Sequence, residues 1–464
     1  MPRRIKSLLR QREKSMRYIP HTESDIASML ATVGGRSVAE LFGHLPETLR
    51  SQAAIDLPPG LSEAGVRSRL AELAATNRVS PDVVSFLGAG AYPHFVPVVV
   101  DQIIQRSEFA TAYTPYQPEV SQGTLQAIFE FQSLVAALFG LEVANASMYD
   151  GASATAEAVL MAKRILPQRG TVLVARSLHP QYRQVIRTYL EGVPEARIVE
   201  LPWGEDGRID VTALVRHLDA TVACVVVGYP NVFGVIENVA AIADAAHQSG
   251  ALAVTATTEA LALGLLKSPG ELGADIAVAE GQSFGIPVSY GGPGVGLFAC
   301  RERFLRSMPG RLVGETVDHD GRRGFVLTLS TREQHIRREK ATSNICTNQG
   351  LCSLAATVFL CTMGKQGLRE LAERNVKKSH YMRDLLLQNS AYRQHFSAPF
   401  FSEFVLTVPQ ARAVWNRLKE RGIIAGLPIE DWYPELKDCL LLCVTETHTR
   451  SDIERFVCEI QGKE

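Results

Sequence analysis

The chain has almost no net charge, no closely paired cysteines and no long apolar run, and each absence excludes a class of protein. Its 48 basic and 49 acidic residues leave a formal net charge of −1 over 464 residues, so composition gives no electrostatic case for binding nucleic acid or a membrane surface. The eight cysteines lack CxxC spacing, which favours a reducing compartment over a disulfide framework. No apolar run approaches the roughly 20 residues that span a bilayer. We therefore expect a cytoplasmic protein.

The N-terminal region is basic at its start and helical afterwards. Residues 1–15 hold six basic side chains and one acidic one without an apolar segment, which predicts a disordered extension, or a start codon placed too early, rather than an export signal. In residues 16–90, Thr22 and Asp25 form a capping-box-like start to an amphipathic helix, and helical spacing recurs over residues 62–75. Because this region shows no strand pattern, we predict an N-terminal helical arm.

Strand-like and helix-like segments alternate through residues 91–330. Apolar runs rich in β-branched residues predict strands over 171–175, 198–201, 222–227 and 251–256. Such an order predicts a large α/β domain with a mostly parallel sheet, whose ligands bind beyond the carboxyl ends of the strands. For residues 331–464 we predict a smaller C-terminal α+β domain with a linking helix, and a short helix around residues 333–339 at its start.

Lysine is missing between Lys267 and Lys340, across a stretch that otherwise suits cofactor binding. Residues 273–300 form two apolar runs joined by a loop with many glycines, which let the backbone approach a ligand closely. In one large class of α/β enzymes, a strand ending in such a loop carries a lysine that binds pyridoxal phosphate (PLP) covalently. Gln282 and Ser283 stand where that nucleophile is expected.

A turn of small residues from Tyr149 to Thr155 precedes an alanine-rich helix. Exposed N–H groups at a helix start, together with the hydroxyls of Ser153 and Thr155, can bind an anion. Ordinary capping of the helix by Asp150 or Ser153 explains the same residues. The turn alone favours neither interpretation.

Polar and aromatic side chains accompany a proline-stiffened loop at residues 115–122. They are Tyr113, Thr114, Tyr116 and Gln117. Such side chains can face a pocket or a partner chain, although tyrosines packed on the surface are the commoner explanation.

Two further groups offer proton transfer or positive charge. His179 follows the strand at residues 171–175, where an imidazole can stack on a flat cofactor or transfer protons, although a lone histidine is more often structural. His335 and Arg337 belong to a basic turn before a polar loop that contains Asn344. Guanidinium groups can bind carboxylates and phosphates. A run of charges on a helix, however, is usually only the face that the helix exposes to solvent.

Five stretches are long enough to be compared as wholes, and they are MRYIPHTESDI, FLGAGAYPHFVP, TAYTPYQPEVSQGTLQAIFEFQSLVAALFGLEVANASMYDGASATAEA, GADIAVAEGQSFGIPVSYGGPGVG and HIRREKATSNICTNQGL. Together they resemble the P-proteins of the glycine cleavage system, the decarboxylating glycine dehydrogenases, and within them the subunit 1 (α) type. The resemblance covers the chain from Met16 onward. It therefore supports the interpretation of residues 1–15 as an addition.

The resemblance implies an α/β fold of the PLP-dependent transferase (aminotransferase) class, fold type I, with a large mostly parallel-sheet domain and a smaller C-terminal α+β domain. It implies an oxidoreductase that decarboxylates glycine and transfers the aminomethyl group to the lipoyl arm of H-protein. In the split form, glycine dehydrogenase subunit 2 (β) carries the PLP-binding lysine. An α2β2 assembly with active sites at α/β contacts is expected, with no metal.

Two departures from a working PLP site agree with the α role. If residues 283–287 align with those after the β-subunit lysine, Gln282 occupies the lysine position, and an amide cannot hold PLP covalently. Residues 255–259 lack the aspartate that would pair with the pyridine nitrogen, and no role is assigned to them. We therefore expect no catalytic residue and no covalently bound PLP in this chain, which alone is expected to be inactive. The candidate contributors to a pocket or channel are Tyr113, Thr114, Tyr116, Gln117, Ser153, Thr155, His179, Arg337 and Asn344.

Two other functions stay open. A stand-alone PLP enzyme would use another lysine, such as Lys267 or Lys340, and would yield a PLP adduct trapped by borohydride. A non-catalytic scaffold or regulator would bind H-protein or another partner without a β subunit. Neither hypothesis explains the five matching stretches.

Overall fold

The computed structural model of the protein describes residues 20–53, 57–78, 82–343 and 345–462. The chain separates into two compact units, Met1–Arg78 and Val79–Glu464. The extension predicted for residues 1–15 lies outside the described residues.

The described part of the first unit is helical, with α1 Glu23–Thr32, α2 Val38–Leu41, α3 Glu47–Gln52 and α4 Glu63–Ala74. The predicted capping box is confirmed at α1, where Asp25 Oδ2 accepts from Thr22 N at 2.7 Å and Thr22 Oγ1 accepts from Asp25 N at 3.3 Å. No described residue of this unit is buried, and apolar side chains such as Phe42 and Leu70 are exposed. These helices have no hydrophobic core of their own among the described residues.

Helices and strands alternate through the second unit. Its α-helices are α5 Val98–Ile104, α6 Ser107–Ala110, α7 Gln122–Phe139, α8 Gly151–Ile165, α9 Pro180–Leu190, α10 Val211–His217, α11 Val239–Gln248, α12 Gln334–Arg337, α13 Gly350–Leu386, α14 Ala411–Glu420 and α15 Arg450–Ile460. Its strands are β1 Val84–Ser85, β2 Val143–Ala144, β3 Thr171–Ala175, β4 Arg197–Leu201, β5 Val222–Gly228, β6 Leu252–Thr257, β7 Ile276–Glu280, β8 Gly296–Cys300, β9 Leu312–Val317, β10 Arg323–Thr328, β11 Arg393–Gln394, β12 Glu403–Thr407, β13 Ile423–Ile424, β14 Leu427–Pro428 and β15 Cys439–Cys443. Short 3-10 helices lie at Pro118–Val120, Ala260–Gly264, Glu302–Ser307, Ser330–Arg332, Arg338–Lys340 and Ile429–Asp431.

A seven-stranded sheet with the order β2-β8-β7-β6-β5-β3-β4 forms the centre of this unit. Strands β7, β6, β5, β3 and β4 pair in parallel, whereas β8 runs antiparallel to both of its neighbours. Every residue of β5 is buried, as expected for a strand covered on both faces. The predicted large α/β domain with a mostly parallel sheet is confirmed.

Successive residues of β7 face opposite hydrophobic clusters. Ile276 and Val278 pack with the alanines of α8, whereas Ala277 and Ala279 pack with aromatic residues of α7 and α13. The alanine face of α8 lets that helix lie close to the sheet, which places its first turn beside the end of β7.

A second, smaller sheet lies in the C-terminal region, where β11-β12-β15-β14 pair antiparallel. Helices α14 and α15 pack on it, and the predicted smaller α+β domain is confirmed. Strand β1 pairs in parallel with β13, although the sequence shows no strand pattern before residue 90. A two-residue strand is too short to produce such a pattern.

One helix in the described part of the chain, α13, is long and apolar enough to cross a membrane by length and composition alone. In its most apolar window, 44% of the residues are buried inside the protein. It packs against α5, α7 and the 3-10 helix at Ala260–Gly264, and its helical path is interrupted at Gly364 (φ 60°). These contacts are those of a core helix.

The segment between the two sheets differs from its prediction. The helix expected around residues 333–339 is only α12, because Arg338 adopts a φ of 52° and starts a 3-10 turn. The hairpin of β9 and β10 was not predicted, although its Asp-Gly turn, with Gly321 at φ 77°, is a recognised hairpin feature.

Candidate functional site

A cleft of about 270 Å³ opens at the carboxyl ends of the central strands. It lies between the loops that follow β3 and β7, the start of α8 and residues 89–91. This is the edge at which the strand pattern predicts ligand binding. The side chains that line it with polar groups are Asp150, His179, Gln181, Tyr182, Glu280 and Gln282.

Gln282 joins the loop after β7 to the segment at Tyr92. Its side chain is buried, Oε1 accepts from Tyr92 N at 2.9 Å, and Nε2 donates to Tyr92 O at 3.0 Å and to Ile286 O at 2.7 Å. A primary amide has two N–H groups, and here the protein uses both. The residue predicted at the lysine position is therefore a structural bridge.

Glu280 ends β7 and directs its carboxylate at the start of α8. Oε2 accepts from Gly151 N at 2.9 Å, and Oε1 accepts from Val295 N at 2.9 Å and from Gln282 N at 3.1 Å. Burial raises the pKa of Glu280 to about 7, while the hydrogen bonds from these N–H groups act in the opposite direction. A carboxylate of the chain itself thus occupies the first turn of α8.

His179 lines the cleft with both ring nitrogens engaged. Nε2 donates to Ala89 O at 3.0 Å, Nδ1 accepts from Gln181 N at 3.3 Å, and the ring meets Trp432 edge-on at a centroid distance of 4.9 Å. Burial lowers the pKa of this imidazole, so it is neutral at pH 7. Its contacts hold residues 89–91 along the edge of the cleft.

Residues 255–259, to which the sequence gives no role, lead to a buried ion cluster around His94. Glu259 Oε2 lies 2.9 Å from His94 Nε2, and Glu446 Oε2 lies 2.8 Å from His94 Nδ1. Burial opposes the charge on His94, but the two carboxylates outweigh it and raise its pKa to about 10. His94 was not predictable from the sequence, because its partners are distant along the chain and a single histidine forms no pattern.

A buried arginine organises part of the proline-stiffened loop. Arg311 Nη1 donates to Thr114 Oγ1 at 3.1 Å and Nη2 donates to Tyr116 Oη at 2.8 Å. The Arg311 side chain is 3% exposed and also pairs with Glu333 at 3.3 Å. Arg311 was not predictable from the sequence, because nothing in the residue pattern distinguishes a buried arginine from a surface one.

Ser153 and Thr155 serve α8 itself. Ser153 Oγ accepts from Asp150 N at 3.1 Å, Ser153 N donates to Asp150 Oδ1 at 2.7 Å, and Thr155 Oγ1 donates to Gly151 O at 2.7 Å. The structure thus has the capping arrangement that was one of the two interpretations of this turn.

The other candidates lie apart from the cleft. Tyr113 is exposed and lines a second cavity of about 120 Å³, and Gln117 is exposed. Arg337 is exposed and donates from Nε to Thr331 O at 3.1 Å. Asn344 lies outside the described residues.

Comparison with known proteins identifies the family to which this chain belongs. The family model described as "Glycine cleavage system P-protein" matches residues 16–460. The chain belongs to the glycine cleavage system P-protein family. It is 53% identical over 450 residues to the probable glycine dehydrogenase (decarboxylating) subunit 1 of Anaeromyxobacter dehalogenans, covering 96% of this chain and 100% of that relative. The corresponding protein of Sorangium cellulosum is 52% identical over 453 residues, with 96% and 99% of the two chains covered. By its relatives' names, the P-protein chain is one subunit of an oxidoreductase with a partner subunit.

Solved structures agree with this assignment. The crystal structure of a glycine decarboxylase (P-protein) in inhibitor-bound form superimposes with a TM-score of 0.88 at 46% identity and covers 96% of this chain and 100% of that one. A sphingosine-1-phosphate lyase of Burkholderia pseudomallei shares the fold alone, with a TM-score of 0.65 at 16% identity and coverage of 90% and 94%. The predicted fold class, PLP-dependent fold type I, is confirmed.

PLP is the cofactor of this P-protein family, but the cleft of this chain does not fit it. Gln282 offers no amine, and the N–H of Gly151 at the start of α8 is already bound by Glu280. Lys267 and Lys340 are exposed, and no lysine is among the described residues that line the cleft. No chemical step through PLP is therefore derived for this chain.

Proposed function

We propose that this chain is the α subunit of a glycine cleavage P-protein and contributes surfaces, not a reactive lysine, to the active site. In an α2β2 assembly with a lysine-bearing β subunit that holds PLP, the enzyme decarboxylates glycine and transfers the aminomethyl group to the lipoyl arm of H-protein. The chain is inactive alone, and the complex works in the cytoplasm.

The observation that carries this proposal is the amide of Gln282. An amide nitrogen shares its lone pair with the carbonyl group and does not condense with an aldehyde. Both of its N–H groups also donate to backbone oxygens of Tyr92 and Ile286. The reactive amine must therefore come from a second chain.

The apolar surface of the N-terminal arm, residues 16–90, is an argument that a partner subunit covers this arm. Leu57 and Leu61 are 75% and 64% exposed, and none of the described residues in the first unit is buried. Apolar surface of this extent is stabilised when another chain covers it. We assign the arm to contact with the partner subunit.

We assign the proline-stiffened loop and the basic segment around Arg337 to the wall of the lipoyl channel. Arg311 holds Thr114 and Tyr116 in place, and the Tyr116 ring lies edge-on to His335 at 6.2 Å. Tyr116, Arg311 and His335 border a cavity of about 350 Å³. Tyr113, Gln117 and Asn344 belong to the same two segments, whereas Ser153, Thr155 and His179 shape the cleft at the start of α8.

Reconstitution with the lysine-bearing partner tests the proposal. Glycine-dependent CO2 release is measured for each chain alone and for the mixture, with H-protein present. We expect release only from the mixture, because only there do a reactive amine and the surfaces of this chain meet. CO2 release by this chain alone, with a PLP adduct trapped by borohydride, would show a stand-alone enzyme. Binding of H-protein without any change in the partner's activity would show a scaffold.

The channel assignment has its own test. Tyr116→Phe and Arg337→Ala are compared with Tyr189→Phe, a tyrosine on α9. We expect the first two to raise the KM for H-protein several-fold and the control to leave it unchanged. Equal KM values for all of these proteins would remove Tyr116 and Arg337 from the channel.

A further inference from the structure

We propose that the carboxyl group of Glu280 fills the N-terminal end of α8 and closes the cleft to phosphate-bearing ligands. The first turn of a helix presents unpaired N–H groups and a positive dipole end, and this is where many proteins bind phosphate. In the first turn of α8, Gly151 N donates to Glu280 Oε2 at 2.9 Å and Ser153 N donates to Asp150 Oδ1 at 2.7 Å.

The carboxylate is held by three segments at once. Besides α8, the loop before β8 donates Val295 N to Glu280 Oε1 at 2.9 Å, and the loop after β7 donates Gln282 N at 3.1 Å. Glu280 is 8% exposed, so this arrangement lies inside the protein. The same N–H groups cannot serve a second anion while the carboxylate accepts from them.

The surrounding backbone is packed around this carboxylate. A Cβ at Gly294 would lie 2.9 Å from Glu280 Oε2, and a Cβ at Gly151 would lie 2.8 Å from Glu280 N and 2.2 Å from Tyr182 Oη. Side chains at these two positions would collide with their surroundings, so only glycine permits the approach. The site is thus built for the carboxylate that it contains.

Gln282 removes the covalent attachment point, and Glu280 independently removes the anion site. Restoring a lysine at position 282 therefore does not restore phosphate binding, because the start of α8 stays occupied.

Equilibrium dialysis of the full chain against inorganic phosphate tests the inference. Glu280→Ala vacates the N–H groups and is expected to bind phosphate at least tenfold more tightly than the wild type. The matched control is Glu237→Ala, which removes another buried carboxylate that accepts from Ile209 N at 3.0 Å and does not line the cleft. The control is expected to bind phosphate no more tightly than the wild type.

A second variant covers the case in which Glu280→Ala does not fold. Glu280→Ser also removes the carboxylate but keeps a small polar side chain at this position, and we expect the same direction of change in phosphate binding. Folded variants whose phosphate affinity equals that of the wild type, or an equal gain in Glu237→Ala, would overturn the inference. Glycine and the partner subunit are absent from this measurement, so its failure leaves the proposed function untouched.

Discussion

Replacement of His94 by glutamine is expected to remove a pH-dependent part of the protein's stability. The imidazolium lies between Glu259 and Glu446, and the three side chains are at most 9% exposed. Glutamine keeps similar size and hydrogen-bonding groups but carries no charge. The variant would therefore leave two buried carboxylates facing each other without a cation, which typically costs about 3–5 kcal/mol.

The pKa of His94 gives the size and the sign of the pH effect. It rises from 6.5 to about 10 on folding, and a shift of this size corresponds to about 5 kcal/mol of free energy of unfolding. Because the folded pKa is the higher one, this stability is fully present below pH 6.5 and is lost as the pH rises to about 10. Within that interval the loss is about 1.4 kcal/mol per pH unit.

Urea unfolding of both proteins between pH 8 and pH 9.5 measures the effect. The buried carboxyl groups with raised pKa values, such as Glu403 at about 7, are mostly ionised throughout this interval and are present in both proteins. We expect the difference in unfolding free energy between wild type and His94→Gln to shrink by about 2 kcal/mol across it. The control, His217→Gln, replaces an exposed histidine, and its free energy of unfolding should change with pH as that of the wild type does. A difference that stays constant with pH would refute a charged His94.

Three further outcomes are expected. Gly151→Ala should lower the free energy of unfolding by more than about 2 kcal/mol, because the new Cβ would lie 2.2 Å from a tyrosine hydroxyl oxygen. The control is Gly123→Ala, at a helical position where a Cβ would meet no atom within 4 Å. This control should raise the free energy of unfolding by about 0.5–1 kcal/mol. Arg311→Met removes the guanidinium that pairs with Glu333 and donates to Thr114 and Tyr116, so it should expose residues 111–117 to limited proteolysis. A chain as resistant as wild type would contradict the role of that arginine. Gln282→Lys should give no borohydride-stable PLP adduct by mass spectrometry, and a mass increase at residue 282 would show that the cleft accepts the cofactor.

Regular elements were predictable where one residue pattern determines them. Strand β3 has the bounds that the sequence predicts, because its apolar run is bounded by polar or turn-forming residues. The two-residue strands β1 and β13 were not predictable, since they form only where two distant segments meet. Local sequence patterns therefore predict the large domain, but they do not predict how it connects to the rest of the chain.

The site was predictable only in part, for a related reason. Gln282 was recognised from a glycine-rich loop that is contiguous in sequence, and His179 from its place after a strand. His94 lies 165 and 352 residues from the carboxylates that hold it charged, and Arg311 lies 197 residues from Thr114. Such pairs depend on the folded topology, and one sequence contains no pattern that links them.

The hydrogen bonds of the cleft explain how a site without its reactive lysine keeps its architecture. A glycine-rich loop beside a helix start presents several buried N–H groups, and each one left without an acceptor costs about 1–3 kcal/mol. In this chain Glu280 accepts from Gly151, Gln282 and Val295, and the Gln282 amide bridges to Tyr92. Glu280 and Gln282 therefore accept hydrogen bonds from backbone N–H groups that would otherwise need a bound anion or another part of the chain as acceptor. These contacts hold the loop after β7 against the start of α8 and the segment at Tyr92.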